Sequence, residues 1–461
     1  MPASSRKLAV LNLVALTQDL LQHAPCLTRF AESGSVTPLQ PVFPAVTSTV
    51  QSSILTGTPP STHGVVANGW YERDQSEVRF WKQSNRLVQA PSLWDTLKQQ
   101  DPAFTCANLF WWFNMATTAN ITVTPRPIYK ADGRKLPDCY TQPLTLRDEL
   151  QARLGTFPLF KFWGPAANIR SSNWIANAAK HIVTQYQPNL LLVYLPHLDY
   201  PLQKLGPNHA NIPAEVQAID TTAGSLINHL QSLDYDILIL SEYAIETATA
   251  AITPNRTLRE HGYLQVRSED GLDEIDTHGS RALAIADHQI AHIYIHDPND
   301  IEPIRHLFEN TPGIQQTLNS HTLATHHLNH PRSGDIVLIP EPGHWFAYDF
   351  WLDDHRAPDY ARTVNIHRKP GYDPRELFLD PNLRFPQLHI ARRLLARKLG
   401  FRNLLDVIPL DNSLVRGTHG RPSEPHTTNA PLLITPTHLQ PSRSPLPSSA
   451  IHNLILDHFS S

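Results

Sequence analysis

The chain has 461 residues, a net charge of −4, 25 histidines and three cysteines, enough length for one large core and an accessory unit. With no broad basic field, neither nucleic acid nor a membrane is expected as a partner. Cys26, Cys106 and Cys139 lack CxxC spacing and leave a thiol unpaired, which fits a reducing, cytoplasmic setting.

The opening "MPASSRKLAVLNLVALTQDLLQHAP" has a basic start, but its apolar run is short, contains Asn12 and has no small-residue cleavage site. It is expected to be a buried first strand over 8–16 rather than a leader. "VTSTVQSSILTG" then sets Thr47, Ser48 and Thr49 at the front of a helix. These hydroxyls read either as ordinary caps or as part of an anion site at the helix N-terminus. Further apolar runs at 104–110, 190–195 and 236–241 alternate with helical patterns at 92–100 and 171–186. That alternation predicts an α/β fold, a mostly parallel central sheet between helical layers, with chemistry at the strands' carboxyl ends.

Two acids follow such ends: Asp199 after "LLLVYL" and Glu242 after "DILIL". Each suits metal binding, acid–base chemistry or simple turn capping. The strands ahead of them are expected side by side, with both acids on the edge that carries Thr47. From about residue 256 the rhythm changes, and 256–345 is expected to be a smaller α+β insert acting as a cap. There His288 and His292 read as site residues or as satisfied core histidines. The segment 124–140 carries Arg126, Lys130, Arg134 and Lys135 and is a candidate lid. Residues 387–400 form a basic helix, and "RGTHGR" projects His419 between glycines. The expected layout is a core of 1–255 and 346–430, the insert 256–345, and a Pro/Ser-rich tail 431–461 with a short terminal helix.

In order, "PAVTSTVQSSILTGTPPSTHGVVANGWY", "HLDYPLQKLGP", "LSEYAI" and "RGTHGR" resemble the nucleotide pyrophosphatase/phosphodiesterase branch of the alkaline phosphatase superfamily, over roughly residues 7 to 436. The resemblance implies a phosphodiesterase or phosphatase-like hydrolase, or related transferase, acting on a phosphorylated small molecule. It places Thr47 at the nucleophile, Asn68 against a phosphoryl oxygen, and Asp199 and His419 at one metal.

The resemblance implies a two-metal centre, and other positions depart from its pattern. Val14 stands where the family has an aspartate, Gln203 where it has a histidine, and Ser241-Glu242-Tyr243-Ala244 where it has Ser-Asp-His-Gly. Valine cannot bind a metal, and Tyr and Gln are poor substitutes for imidazole at zinc. The expected centre is therefore one divalent ion, zinc or manganese, on Asp199, Glu242 and His419, or none, with His197 or His288 as a substitute base for Thr47. The alternative is a non-catalytic anion- or metabolite-binding protein on the same fold.

Overall fold

The computed structural model describes residues 6–422 and 429–460; residues 1–5, 423–428 and 461, with the parts of the opening segment, the His419 loop and the tail they hold, lie outside it. Leu8–Leu13 is buried at every position, as a central strand covered on both faces must be. It pairs in parallel with Leu190–Leu195 on one side and Asp236–Leu240 on the other. Beyond Leu190–Leu195 come Cys106–Leu109 and Ile121–Pro125, both parallel, and then antiparallel Cys139–Gln142. Beyond Asp236–Leu240 come Leu432–Pro436, Gly34–Gln40 and the short edge Leu446–Pro447, completing nine strands. Helix Arg170–Tyr186 packs on Leu190–Leu195 and on Ile212–Gln231, while Ile451–Ser460 packs on Thr47–Thr56 and Leu93–Gln100. The fold is α/β with a mostly parallel sheet. Among the described residues no helix is long and apolar enough to cross a membrane.

Two expectations are corrected. The strands before Asp199 and Glu242 are not neighbours, because Leu8–Leu13 runs between them. The expected terminal helix is present as Ile451–Ser460, but described residues 431–460 are no separate tail. Leu432–Pro436 is wedged inside the sheet, and Ile451, Ile455 and Phe459 are buried. Its Leu-Leu-Ile run and the apolar stripe of the last helix can be covered only by docking on the core, whatever the Pro/Ser content between them.

A second, four-stranded antiparallel sheet is built from Ala282–Asp287, Ile290–Ile295, Ile336–Pro340 and Ile314–Leu318. Its apolar core draws in Val65, Trp70 and Phe80 from before the 256–345 segment, and Tyr360, Tyr372 and Leu410 from after it. The tip of its first hairpin, at His288, reaches the carboxyl-end edge of the main sheet.

Candidate active site

Thr47 is the first residue of helix Thr47–Thr56, all ten residues of which are buried. It is not the cap. Val46 holds that position with extended backbone and no side-chain capping bond. Asn68 caps the helix from a distance: its Oδ1 accepts from the Ser48 N–H at 2.9 Å. The backbone N–H and Nδ2 of Asn68 in turn donate to Asp287 at 2.8 and 3.1 Å. The intervening turn-rich stretch therefore brings Asn68 back to the helix start, as its glycines suggested, but to a peptide N–H and a carboxylate.

The Thr47 hydroxyl lies 3.1 Å from the Tyr243 phenol oxygen, and the phenol donates to Asp199 Oδ1 at 3.2 Å. A phenol has one proton, so with it given to Asp199 the threonine is the donor at the other contact. Burial, with Asp199 close by, holds the Tyr243 phenol well above its ordinary pKa. Asp199 Oδ2 accepts from Gln203 Nε2 at 2.8 Å, and Gln203 Oε1 accepts from the Tyr372 hydroxyl at 2.8 Å. Burial pushes the Asp199 carboxyl up to about 7, against the opposing pull of its donors Gln203 and Tyr243.

Glu242 lies on the other side of Thr47, close enough for that hydroxyl to favour its charged form while the Asp199 charge opposes it. Its Oε1 accepts from both Asn12 Nδ2 and Gln51 Nε2, and burial pushes the group up to about 8. Asn12 is the one polar residue of the innermost strand, and Gln51 sits a helical turn beyond Thr47, its Oε1 accepting from the Trp112 N–H at 2.7 Å. Neither was identified from sequence, although a buried amide in an apolar strand is a signal that it has a partner. Asp287 and Tyr372 were missed as well. Only the tertiary fold brings them here.

His419 stands on a loop that crosses close over Asp199–Leu205, where a Cβ on Gly417 would lie 2.2 Å from the Leu202 carbonyl oxygen. Its Nδ1 bonds the Ala45 carbonyl at 2.7 Å, and its ring stacks on Tyr243 at 3.6 Å between centroids. Nε2 has no hydrogen-bond partner and lies 3.9 Å from Asp199 Oδ1. His288, at φ +56° on the hairpin tip, stacks on Tyr372 at 3.6 Å and approaches His419 at 3.9 Å. Burial drives both imidazoles well below their ordinary pKa, so they are neutral. His197 is engaged elsewhere, 2.8 Å from Glu215. His292 is a core histidine: its Nδ1 accepts from the Gly334 N–H and its Nε2 donates to the Val66 carbonyl.

The donor set does not fit the two ions that the resemblance implies. At one position Val14 offers no ligand and Tyr243 a poor one, and Glu242, with Oε1 held by two amides, keeps only Oε2 without a hydrogen-bond partner. At the other, both Asp199 oxygens accept from neutral donors and Gln203 turns its amide nitrogen inward, which leaves His419 as the unpartnered ligand atom. The expected one-ion set is not assembled: Asp199, Glu242 and His419 are not a group with ligand atoms within 4.8 Å of one another, and the one such group among the described residues, Asp236, His438 and His458, lies at the opposite end of the Asp236–Leu240 strand. The physical reason is replacement. A phenol and two kinds of carboxamide engage both oxygens of Asp199 and one of Glu242, where an ion would otherwise do so.

Residues 8–373 match the family model described as type I phosphodiesterase / nucleotide pyrophosphatase. A search of curated proteins returned no significant match. Among solved structures, phosphonoacetate hydrolase from Sinorhizobium meliloti, in complex with phosphonoformate, aligns at 14% identity and TM-score 0.61 over 98% of this chain and 96% of its own. Murine ectonucleotide pyrophosphatase/phosphodiesterase 5 aligns at 12% identity and TM-score 0.59 over 99% and 95%. An inactive variant of the latter, in complex with AMP, aligns at 11% identity and TM-score 0.59 over the same shares. With the family match spanning most of its length, the chain belongs to the type I phosphodiesterase / nucleotide pyrophosphatase family of phosphoric ester hydrolases.

Proposed function

We propose that this chain cleaves a phosphoric ester of a small molecule with Thr47 as nucleophile, and that it does so without the family's pair of ions. The observation that carries the reading is the continuous path from the Thr47 hydroxyl through the Tyr243 phenol to Asp199. A threonine hydroxyl needs a base, and this path ends on a carboxylate pushed to about 7, close to neutral pH. As Thr47 Oγ1 bonds to phosphorus, its proton passes to the phenol oxygen and the phenol proton passes to Asp199. The ester P–O bond breaks with its electron pair leaving on the departing oxygen, and water later cleaves the phosphothreonine. The phosphorylated ligands named for the neighbouring structures support a small phosphorylated or phosphonylated substrate.

A second reading, a binding protein that no longer turns over, is favoured by charge. Among the described residues no lysine or arginine hydrogen-bonds the side chains around Thr47, which leaves the N-terminus of the Thr47–Thr56 helix as the weak source of the positive potential that phosphoryl transfer draws on. One experiment separates the two. A chromogenic phosphodiester is assayed with zinc, with manganese and with a chelator, alongside metal analysis of the same sample. The hydrolase reading expects chelator-resistant turnover that falls about a thousandfold or more in Thr47→Ala and at least about a hundredfold in Tyr243→Phe. An inactive parent protein that binds phosphate esters selects the binding protein. Activity that appears only with added metal overturns the ion-free mechanism.

A further inference from the structure

We infer that the helix Pro386–Lys398 is a docking element for an anionic lipid surface. Among the described residues, seven of the fifteen large apolar side chains left exposed fall between Phe385 and Leu404. Along the helix, Leu388, Leu395 and Leu399 are 68%, 58% and 67% exposed. At 100° per residue they lie within about 40° of one another, a single apolar stripe about 16 Å long.

The polar side of the helix is tied down by the segment that follows it: His389 and Arg393 pair with Asp406 at 3.0 and 2.8 Å, and Arg397 bonds the Asn403 carbonyl at 2.9 Å. Leu394, 51% exposed, lies to one side of the stripe. The apolar side faces outward, flanked by Arg392 and Lys398. Such an arrangement does not arise from burying apolar area within the chain. It is the arrangement of an interfacial helix, with leucines entering the acyl boundary and basic residues meeting lipid phosphates.

Charge selects the occupant. From 381 to 405 there are six basic residues and no acid. With Arg393 neutralised by Asp406 and Arg397 turned to the Asn403 carbonyl, Arg384, Arg392, Lys398 and Arg402 are the charges left for an occupant. A second copy would set these charges against their like, which argues against self-association. The surface continues onto the hairpin Ile128–Leu136, whose Ala131 carbonyl accepts from Arg402 and whose Tyr129 is 60% exposed. The net charge of −4 had argued against membrane contact, but binding to a lipid surface responds to the charge within about a Debye length of it.

The test is flotation of the full chain with phosphatidylcholine vesicles, and with the same vesicles containing phosphatidylglycerol, at low and raised salt. The expected result is binding to the anionic vesicles alone, weakened by salt. It falls by about tenfold or more both in Leu388→Glu/Leu395→Glu/Leu399→Glu and in Arg392→Glu/Lys398→Glu. A thermal melt accompanies each variant, and if the leucine variant unfolds the charge variant alone decides. No flotation of the parent chain, or equal flotation of parent and charge variant, overturns the proposal. So does a concentration-dependent dimer in light scattering that the leucine variant abolishes, since it gives the stripe to a second copy. Capture of an acidic peptide in place of vesicles overturns it equally.

Discussion

A histidine's neighbours decide its chemistry, and four histidines here divide accordingly. His419 and His288 enter the site, His197 pairs with Glu215, and His292 is locked in the second core, where burial lowers it to about 4. A histidine held neutral by the fold binds fewer protons folded than unfolded. Its contribution is present above the unfolded value near 6.5 and is lost as pH falls through the window down to about 4. His292→Gln, which cannot charge but leaves the Gly334 N–H less well satisfied, should cost about 1–2 kcal/mol at pH above 7. The gap to the parent chain should then narrow as pH drops. Urea denaturation across that range measures it, and a constant gap would show that His292 does not titrate with folding.

At the scale of one element, the Thr47–Thr56 helix shows how a local pattern can be right in kind and wrong in partner. Its start was legible in "VTSTVQ" and its end at Gly57, which adopts φ +67° as a left-handed helix terminus requires. The hydroxyls looked like caps, yet Thr47 turns toward Tyr243 and the cap comes from Asn68, twenty residues on. Asn68→Ala would orphan the Ser48 N–H and remove a donor from buried Asp287. A loss of about 2–3 kcal/mol is expected, with the Thr47 helix exchanging its amide hydrogens sooner than the main sheet does. A variant with unchanged stability would mean the Ser48 N–H finds another acceptor.

Across the whole molecule, the two cores are joined by a buried ionic cluster beside the site. Arg375, fully buried, pairs with Asp349 at 2.6 Å and Asp373 at 2.7 Å and donates to the Leu410 carbonyl. Lys369 bridges Asp373 and Glu376 at 2.7 Å each, and Glu376 accepts from Trp163 on the main-sheet side. Tyr372, within this segment, donates to Gln203, which in turn donates to Asp199. Removing one partner from such a cluster leaves buried charge uncompensated, so Arg375→Met should lower stability by about 3–5 kcal/mol. Calorimetry should resolve the change as a lower and less cooperative melt.

What the sequence determined by itself was whatever depends on local pattern. Runs such as "LAVLNL" and "LLLVYL" can only be covered on both faces, and that, with the helices between them, is enough for an α/β sheet. The expectation that its carboxyl edge carries Thr47, Asp199 and Glu242 follows from the same pattern, whereas the place of His419 beside them came only from the resemblance. The substitutions at Val14, Gln203 and Tyr243 were equally visible, because a ligand's chemistry is a property of its residue type. The tertiary structure decided what replaced the lost ligands. Whether Gln203 turns its nitrogen or its oxygen toward Asp199 depends on Tyr372, and Glu242 Oε1 is held by Asn12 and Gln51, residues far apart in the chain that meet only when the sheet closes. It also decided that the Pro/Ser-rich end belongs to the core and that the basic helix turns its leucines outward. Burial is a contact between distant segments, and no local window of sequence contains both sides of it.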